Sequence, residues 1–138
     1  MSTRPGGMLG MHHVALFVHD LEACLHFYRD VVGMVEEWQP DPDNIYLTSG
    51  NDNVALHRLA AEKTLDGAQR LDHIGFILRA PEDVDAWHTH LTANAVRIAQ
   101  APKTHRDGAR SLYCFDPCGN LVQFIYHPPI SGLIHSAL

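Results

Sequence analysis

The chain has 138 residues, a length that suits one compact domain or two small halves sharing a core. Hydrophobic residues make up 46% and charged residues 19%, the balance of a folding globular chain rather than a disordered one. Sixteen acidic against ten basic side chains give a net charge of -6, which repels nucleic-acid phosphates and anionic lipid, so neither nucleic acid nor membrane is expected as a partner. No apolar run reaches the ~18 residues of a membrane span, and Met1–Gly10 carries no apolar leader segment, so a soluble, cytoplasmic protein is expected. Cys24, Cys114 and Cys118 are an odd set without a C-x-x-C pair, which indicates neither a disulfide framework nor a structural zinc knot. The unusual count is histidine, at eleven.

In chain order, residues 11–18 are β-rich, and Asp20 is placed to cap a helix carrying Leu21, Cys24, Leu25, Tyr28, Val31 and Val32 at i, i+3, i+4 spacing until Gly33 stops it. Short strands are expected near 34–39, 44–49 and 53–59, separated by the turn compositions Pro40-Asp41-Pro42-Asp43 and Gly50-Asn51-Asp52. Residues 61–70 read as a linker. A strand near 72–79 leads to Pro81 at a helix start, with Val84, Trp87 and Leu91 on one face. Strands near 96–100, 111–116 and 120–126 follow, and a tail runs over 128–138. An offset of 60 aligns His13-Val14-Ala15-Leu16-Phe17-Val18 with His73-Ile74-Gly75-Phe76-Ile77-Leu78, and continues through Glu22/Glu82, Phe27/Trp87 and Val31/Leu91. The expectation is an α+β chain, one domain over 1–138, built from two βαβββ modules (about 11–60 and 71–127). Their sheets would form a curved, mixed half-barrel with the helices on its outer face and a ligand cleft inside.

Alternation along the strands puts Val14, Leu16 and Val18, and likewise Ile74, Phe76 and Leu78, toward the helices. His13, Ala15 and Phe17 then face away, as do His73, Gly75 and Ile77. The same parity turns Asn53, Ala55 and His57, and Leu121, Gln123 and Ile125, from their apolar neighbours. His13, His57, His73 and Gln123 would therefore point into one concavity beside the small residues Ala15, Ala55 and Gly75. One such histidine usually makes an ordinary hydrogen bond at a polar wall. Two at equivalent repeat positions favour a shared divalent ion, which lets the imidazoles stay neutral while an amide oxygen adds a further donor.

With His13-Val-Ala-Leu-Phe-Val-His-Asp20-Leu21, Phe27-Tyr28-Arg29-Asp30-Val31-Val32-Gly33-Met34, Leu71-Asp72-His73-Ile74-Gly75 and Asp116-Pro117-Cys118-Gly119-Asn120-Leu121-Val122-Gln123, the chain resembles the vicinal oxygen chelate superfamily over about residues 11–127. That superfamily holds glyoxalase I, extradiol dioxygenases, fosfomycin-resistance enzymes and bleomycin-binding proteins. The resemblance implies paired βαβββ modules and, in the enzymes, a divalent metal (Fe, Mn, Ni or Zn) that chelates adjacent oxygens of a small molecule. By position it implies His13, His73 and Gln123 as ligands, with His57 as the additional ligand glyoxalases use. It also implies a homodimer, since members often pair modules between chains. The dioxygenases and fosfomycin enzymes carry Glu where this chain has Gln123, which removes a negative charge and a possible base. Glyoxalase I relies on a metal-bound Glu as base, where this chain offers His57 or Gln123.

A hairpin turn centred on Cys118 sets Tyr113 opposite Gln123, where the phenol either donates a proton, similar to the Tyr beside the metal in extradiol dioxygenases, or fills the cup as a cross-strand aromatic. Lys103–Arg110 reads as a cationic lid over an anionic substrate or as a solvated loop. Cys114 is expected on the helix side and Cys118 in the turn, neither as nucleophile; His88 and His90 are expected exposed, and His12 has helix-side parity. The leading expectation is a metal-dependent enzyme on a small oxygenated substrate, ring-cleaving dioxygenase chemistry first, with Tyr113 and His57 as catalytic groups. Glyoxalase-like lyase or isomerase chemistry and a metal-free small-molecule (antibiotic) binder are the alternatives.

Overall fold

The computed structural model describes residues 13–60 and 71–128 together with Pro5 and Met11. His12, the linker 61–70 and residues 129–138 lie outside the described residues. Module one runs β1 (His13–Val18), α1 (Leu21–Leu25) continued by a π-helical turn (His26–Val31), β2 (Val35–Asp41), β3 (Asn44–Thr48) and β4 (Asn53–Arg58). Module two runs β5 (Ile74–Leu78), α2 (Pro81–Ala93), β6 (Ile98–Thr104), β7 (Arg110–Phe115) and β8 (Leu121–Tyr126). Each module makes its own four-stranded sheet, in the orders β1-β4-β3-β2 and β5-β8-β7-β6, with the first strand parallel to the last and the other pairs antiparallel. The two βαβββ units and the α+β class are those the internal repeat predicts.

The helix-side parity holds: Leu16, Val18, Ile45, Leu47, Val54 and Leu56 from sheet one and Leu112, Cys114, Val122 and Phe124 from sheet two are buried in one apolar cluster with the helices. Asp20 Oδ1 accepts the Ala23 N–H at 3.0 Å, the cap read from the sequence. The first helix departs from the predicted single α-helix. After Leu25 the winding widens, and Val32 N–H closes onto the Phe27 carbonyl five residues back at 2.9 Å. This turn keeps Phe27, Tyr28 and Val31 buried together, and tertiary contacts made by the same turn outweigh local helical preference. Tyr28 donates its hydroxyl proton to Asp116 in module two at 2.7 Å, and the Val31 carbonyl accepts from His90 Nε2 on α2 at 2.9 Å. His90, exposed as expected, therefore also ties the helices together.

β6 is longer than predicted. It takes in Lys103 and Thr104, while Arg110 opens β7 and ion-pairs with Asp85 of α2 at 2.6 Å. Lys103, Thr104 and Arg110 of the cationic run are thus strand residues, and the loop between them is a short turn over 105–109 that the 2.7 Å bond from His105 N–H to the Ala109 carbonyl closes. No helix among the described residues is long and apolar enough to cross a membrane.

Asp116 is 3% exposed and Tyr28 0%. The carboxylate also accepts the backbone N–H groups of Cys118 and Asn120 and the Asn120 side-chain amide, at 2.8–2.9 Å. Tyr28→Phe deletes the one donor from the other module, and is expected to lower unfolding free energy by about 1–3 kcal/mol in urea titration, because a buried acceptor loses a partner. On the surface, Arg58 beside Glu22 holds that carboxyl down to about 2 from its ordinary 4.5, chiefly through their hydrogen bond. A depressed folded value stabilises above the unfolded pKa and fades as pH falls toward 2, so Glu22→Gln should flatten the stability loss measured between about pH 4.5 and pH 2.

Candidate functional site

On the face of sheet two turned from α2, pairing sets Gly75 and Tyr113 on either side of Gln123, which is the cross-strand register the turn at Cys118 predicts. Gln123 Nε2 donates to the Tyr113 hydroxyl oxygen at 3.0 Å. That bond orients both groups: the phenolic proton is left for another acceptor, and the amide oxygen is left as an unspent donor of electrons. Oε1 lies toward Gly75, where an added Cβ would come within 3.5 Å of it. His73 sits one residue before β5 with its ring edge-on to Tyr113, centroids 5.4 Å apart. Its Nδ1–H donates to Asp72 at 2.5 Å, so the neutral ring keeps a lone pair on Nε2, the arrangement that prepares a histidine to hold a metal. His73, Gln123 and Tyr113 are therefore brought together.

Module one arranges its candidates differently. His13 opens β1 and pairs with Asn53, whereas His57 pairs with Phe17. His13 and His57 share a face, but four residues of parallel strand separate them, about 13 Å at the usual rise. Among the described residues no three His, Cys, Asp or Glu side chains gather as a metal cage, so His13, His57 and His73 do not form the three-imidazole cluster that parity alone suggests. Register explains the difference. Ala15 pairs with Ala55 as Gly75 pairs with Gln123, and Tyr46 pairs with Ala55 as Tyr113 pairs with Gln123. The repeat counterpart of Gln123 is thus Ala55, and His57 stands two positions beyond it.

Around His57 the same face carries aromatic rings from the other three strands of the sheet. Phe17 lies 6.0 Å and Tyr46 5.9 Å from the imidazole, centroid to centroid, and Trp38 stacks on Tyr46 at 5.2 Å. Phe17 is 58% and Trp38 59% exposed. Sequence reasoning missed Tyr46 and Trp38, for which alternation in the second and third strands was the available signal. It also missed Asp72, whose position next to His73 was visible but whose bond was not. Cys114 is buried and its thiol is pushed up to about 12, first by burial and then by Asp116. The Cys24 thiol is raised as well, mainly by burial, and lies 3.2 Å from Cys118 Sγ. Neither buried cysteine is poised as a thiolate nucleophile.

A family model described as Glyoxalase/Bleomycin resistance protein/Dioxygenase superfamily matches residues 10–124. Over 86 residues the chain is 34% identical to a manganese-dependent 2,3-dihydroxybiphenyl 1,2-dioxygenase of Geobacillus genomosp. 3, an alignment covering 62% of this chain and 26% of that protein. The aligned part is thus about a quarter of the length of that curated relative. Among solved structures, lactoylglutathione lyase from Agrobacterium tumefaciens superposes with a TM-score of 0.72 at 25% identity, covering 88% of this chain and 96% of its own. A glyoxalase/dioxygenase from Nostoc punctiforme superposes at 0.76 and 23% identity, covering 93% and 97%, a likeness of fold.

Proposed function

The chain belongs to the Glyoxalase/Bleomycin resistance protein/Dioxygenase superfamily, and on that premise we propose that it is a metal-dependent enzyme acting on a small molecule through two adjacent oxygens, with ring cleavage of a catechol as its reaction. The observation that carries the reading is the Gln123–Tyr113 hydrogen bond, which frees an amide oxygen for a metal and a phenolic proton for a substrate within one contact. The similarity to a manganese-dependent dihydroxybiphenyl dioxygenase supports the substrate class.

His13, His73 and Gln123 are the residues that would hold a divalent ion of iron, manganese, nickel or zinc, two imidazole nitrogens and an amide oxygen being donors such ions accept. When bound, the ion supplies Lewis acidity to the chelated oxygens, and the neutral donors leave its full charge to face an anionic substrate. Asp72 holds the His73 ring by Nδ1, and Gly75 keeps the approach to Gln123 Oε1 clear. Tyr113 holds its proton at the hydroxyl, ready to donate to a substrate oxygen as charge develops there. Exposed Phe17, Trp38 and Ile77 lie on the faces turned from the helices, and a second copy of the chain covering part of that surface belongs to the same reading.

Protein purified without added ions should contain close to one equivalent of a transition metal by elemental analysis, and should consume oxygen when given 2,3-dihydroxybiphenyl. His73→Ala and Gln123→Ala should each lose most of the metal. Gly75→Val, which crowds Gln123 Oε1, should lose metal while melting near the wild-type temperature. A chain that neither retains nor takes up metal, and binds catechols without turning them over, would establish a binding protein instead.

A further inference from the structure

His57 stands four residues of strand along from His13 and is held by hydrogen-bond partners of its own. Its Nδ1 lies 2.6 Å from Asn44 Oδ1 across the β3–β4 pair. Asn44 Nδ2 in turn donates to both carboxylate oxygens of Asp41, at 2.9 Å each. Asp41 also accepts the Asp43 N–H at 2.8 Å, which fixes the carboxylate in its turn. The chain of consequence has one direction. An ionised carboxylate only accepts, so the amide must present its NH2 to Asp41 and its oxygen to His57. An amide oxygen only accepts, so His57 must carry its proton on Nδ1, which leaves the lone pair on Nε2.

We propose that Asn44, anchored by Asp41, is a positioning residue that locks neutral His57 in the Nδ1–H form, making Nε2 a proton acceptor beside the aromatic side chains of Phe17, Tyr46 and Trp38. This aromatic face suits a planar ring bearing an acidic hydroxyl: the ring stacks against exposed aromatic surface, and the hydroxyl gives its proton to Nε2. Identifying that hydroxyl with the catechol of the proposed reaction rests on the preceding reading, whereas the tautomer does not. In the proton transfer the hydroxyl O–H bond breaks, the electron pair stays on oxygen and an N–H bond forms at Nε2, so His57 becomes imidazolium and no other reactant is needed.

The test is long-range 1H–15N NMR of the full-length chain above neutral pH, with His57 signals assigned by their loss in His57→Gln. Wild type should show a protonated Nδ1 and an unprotonated Nε2 at His57. Asn44→Leu should shift the population toward the Nε2–H form that free histidine favours, and Asp41→Ala, which releases the amide to rotate, should give a mixture. A wild-type spectrum dominated by Nε2–H, or a tautomer unmoved in both variants, overturns the proposal; if Asn44→Leu does not fold, the wild-type and Asp41→Ala spectra decide it. In catechol turnover, Asn44→Leu should lower kcat by roughly tenfold or more with KM within about twofold, the split expected when a proton acceptor is misaligned and binding is not. Equal kcat in a variant whose tautomer has moved would overturn the acceptor role. Absence of catechol turnover in the wild type would instead refute the proposed reaction, leaving the NMR result to decide the role of Asn44.

Discussion

A buried carboxylate holds the two halves of this protein in their relation to each other. Asp116 accepts three hydrogen bonds from its own turn and a fourth from Tyr28 of the other module, so no part of its charge faces the apolar core unpaired. The local bonds shape the β7–β8 turn, which sets the register that faces Tyr113 with Gln123. The bond from Tyr28 comes from the π-helical turn, and the carbonyl of its last residue, Val31, accepts from His90. A regular α-helix over the same residues would rotate these groups away. The site in sheet two is therefore supported from behind by an interaction that contains none of the site's own residues.

The modules are copies in backbone and have diverged in chemistry. Where module two places Gln123 and Tyr113 opposite each other, module one places Ala55 and Tyr46. Loss of the polar donor leaves an aromatic face in sheet one, with His57 two residues along and held by Asn44 and Asp41. Sheet two places Gln123 against Tyr113, with His73 oriented by Asp72. In the proposed reading sheet two supplies His73 and Gln123, while sheet one supplies His13 and exposed aromatic surface. The amide at position 123 fits the same picture, since it gives up negative charge while its NH2 group engages the phenol.

Much of this was legible in the amino-acid sequence, because alternation and repetition are local properties. The offset of 60 marked both βα starts, and the helices begin at Leu21 and Pro81 as it requires. Parity identified the buried face of each strand, and turn composition around Cys118 placed Tyr113 opposite Gln123. Parity states only which side a residue faces, however. How far along the sheet it lies depends on pairing between strands remote in the chain, which is why His57 was grouped with His13 and is found level with Phe17. The π-helical turn, the Asp72–His73 bond and the Asp41–Asn44–His57 relay were hidden for the same reason: each follows from tertiary packing or side-chain orientation. Residue type and spacing determined the modules and the candidate donors; the tertiary structure alone decided which of them meet, because meeting depends on strand register and hydrogen-bond direction.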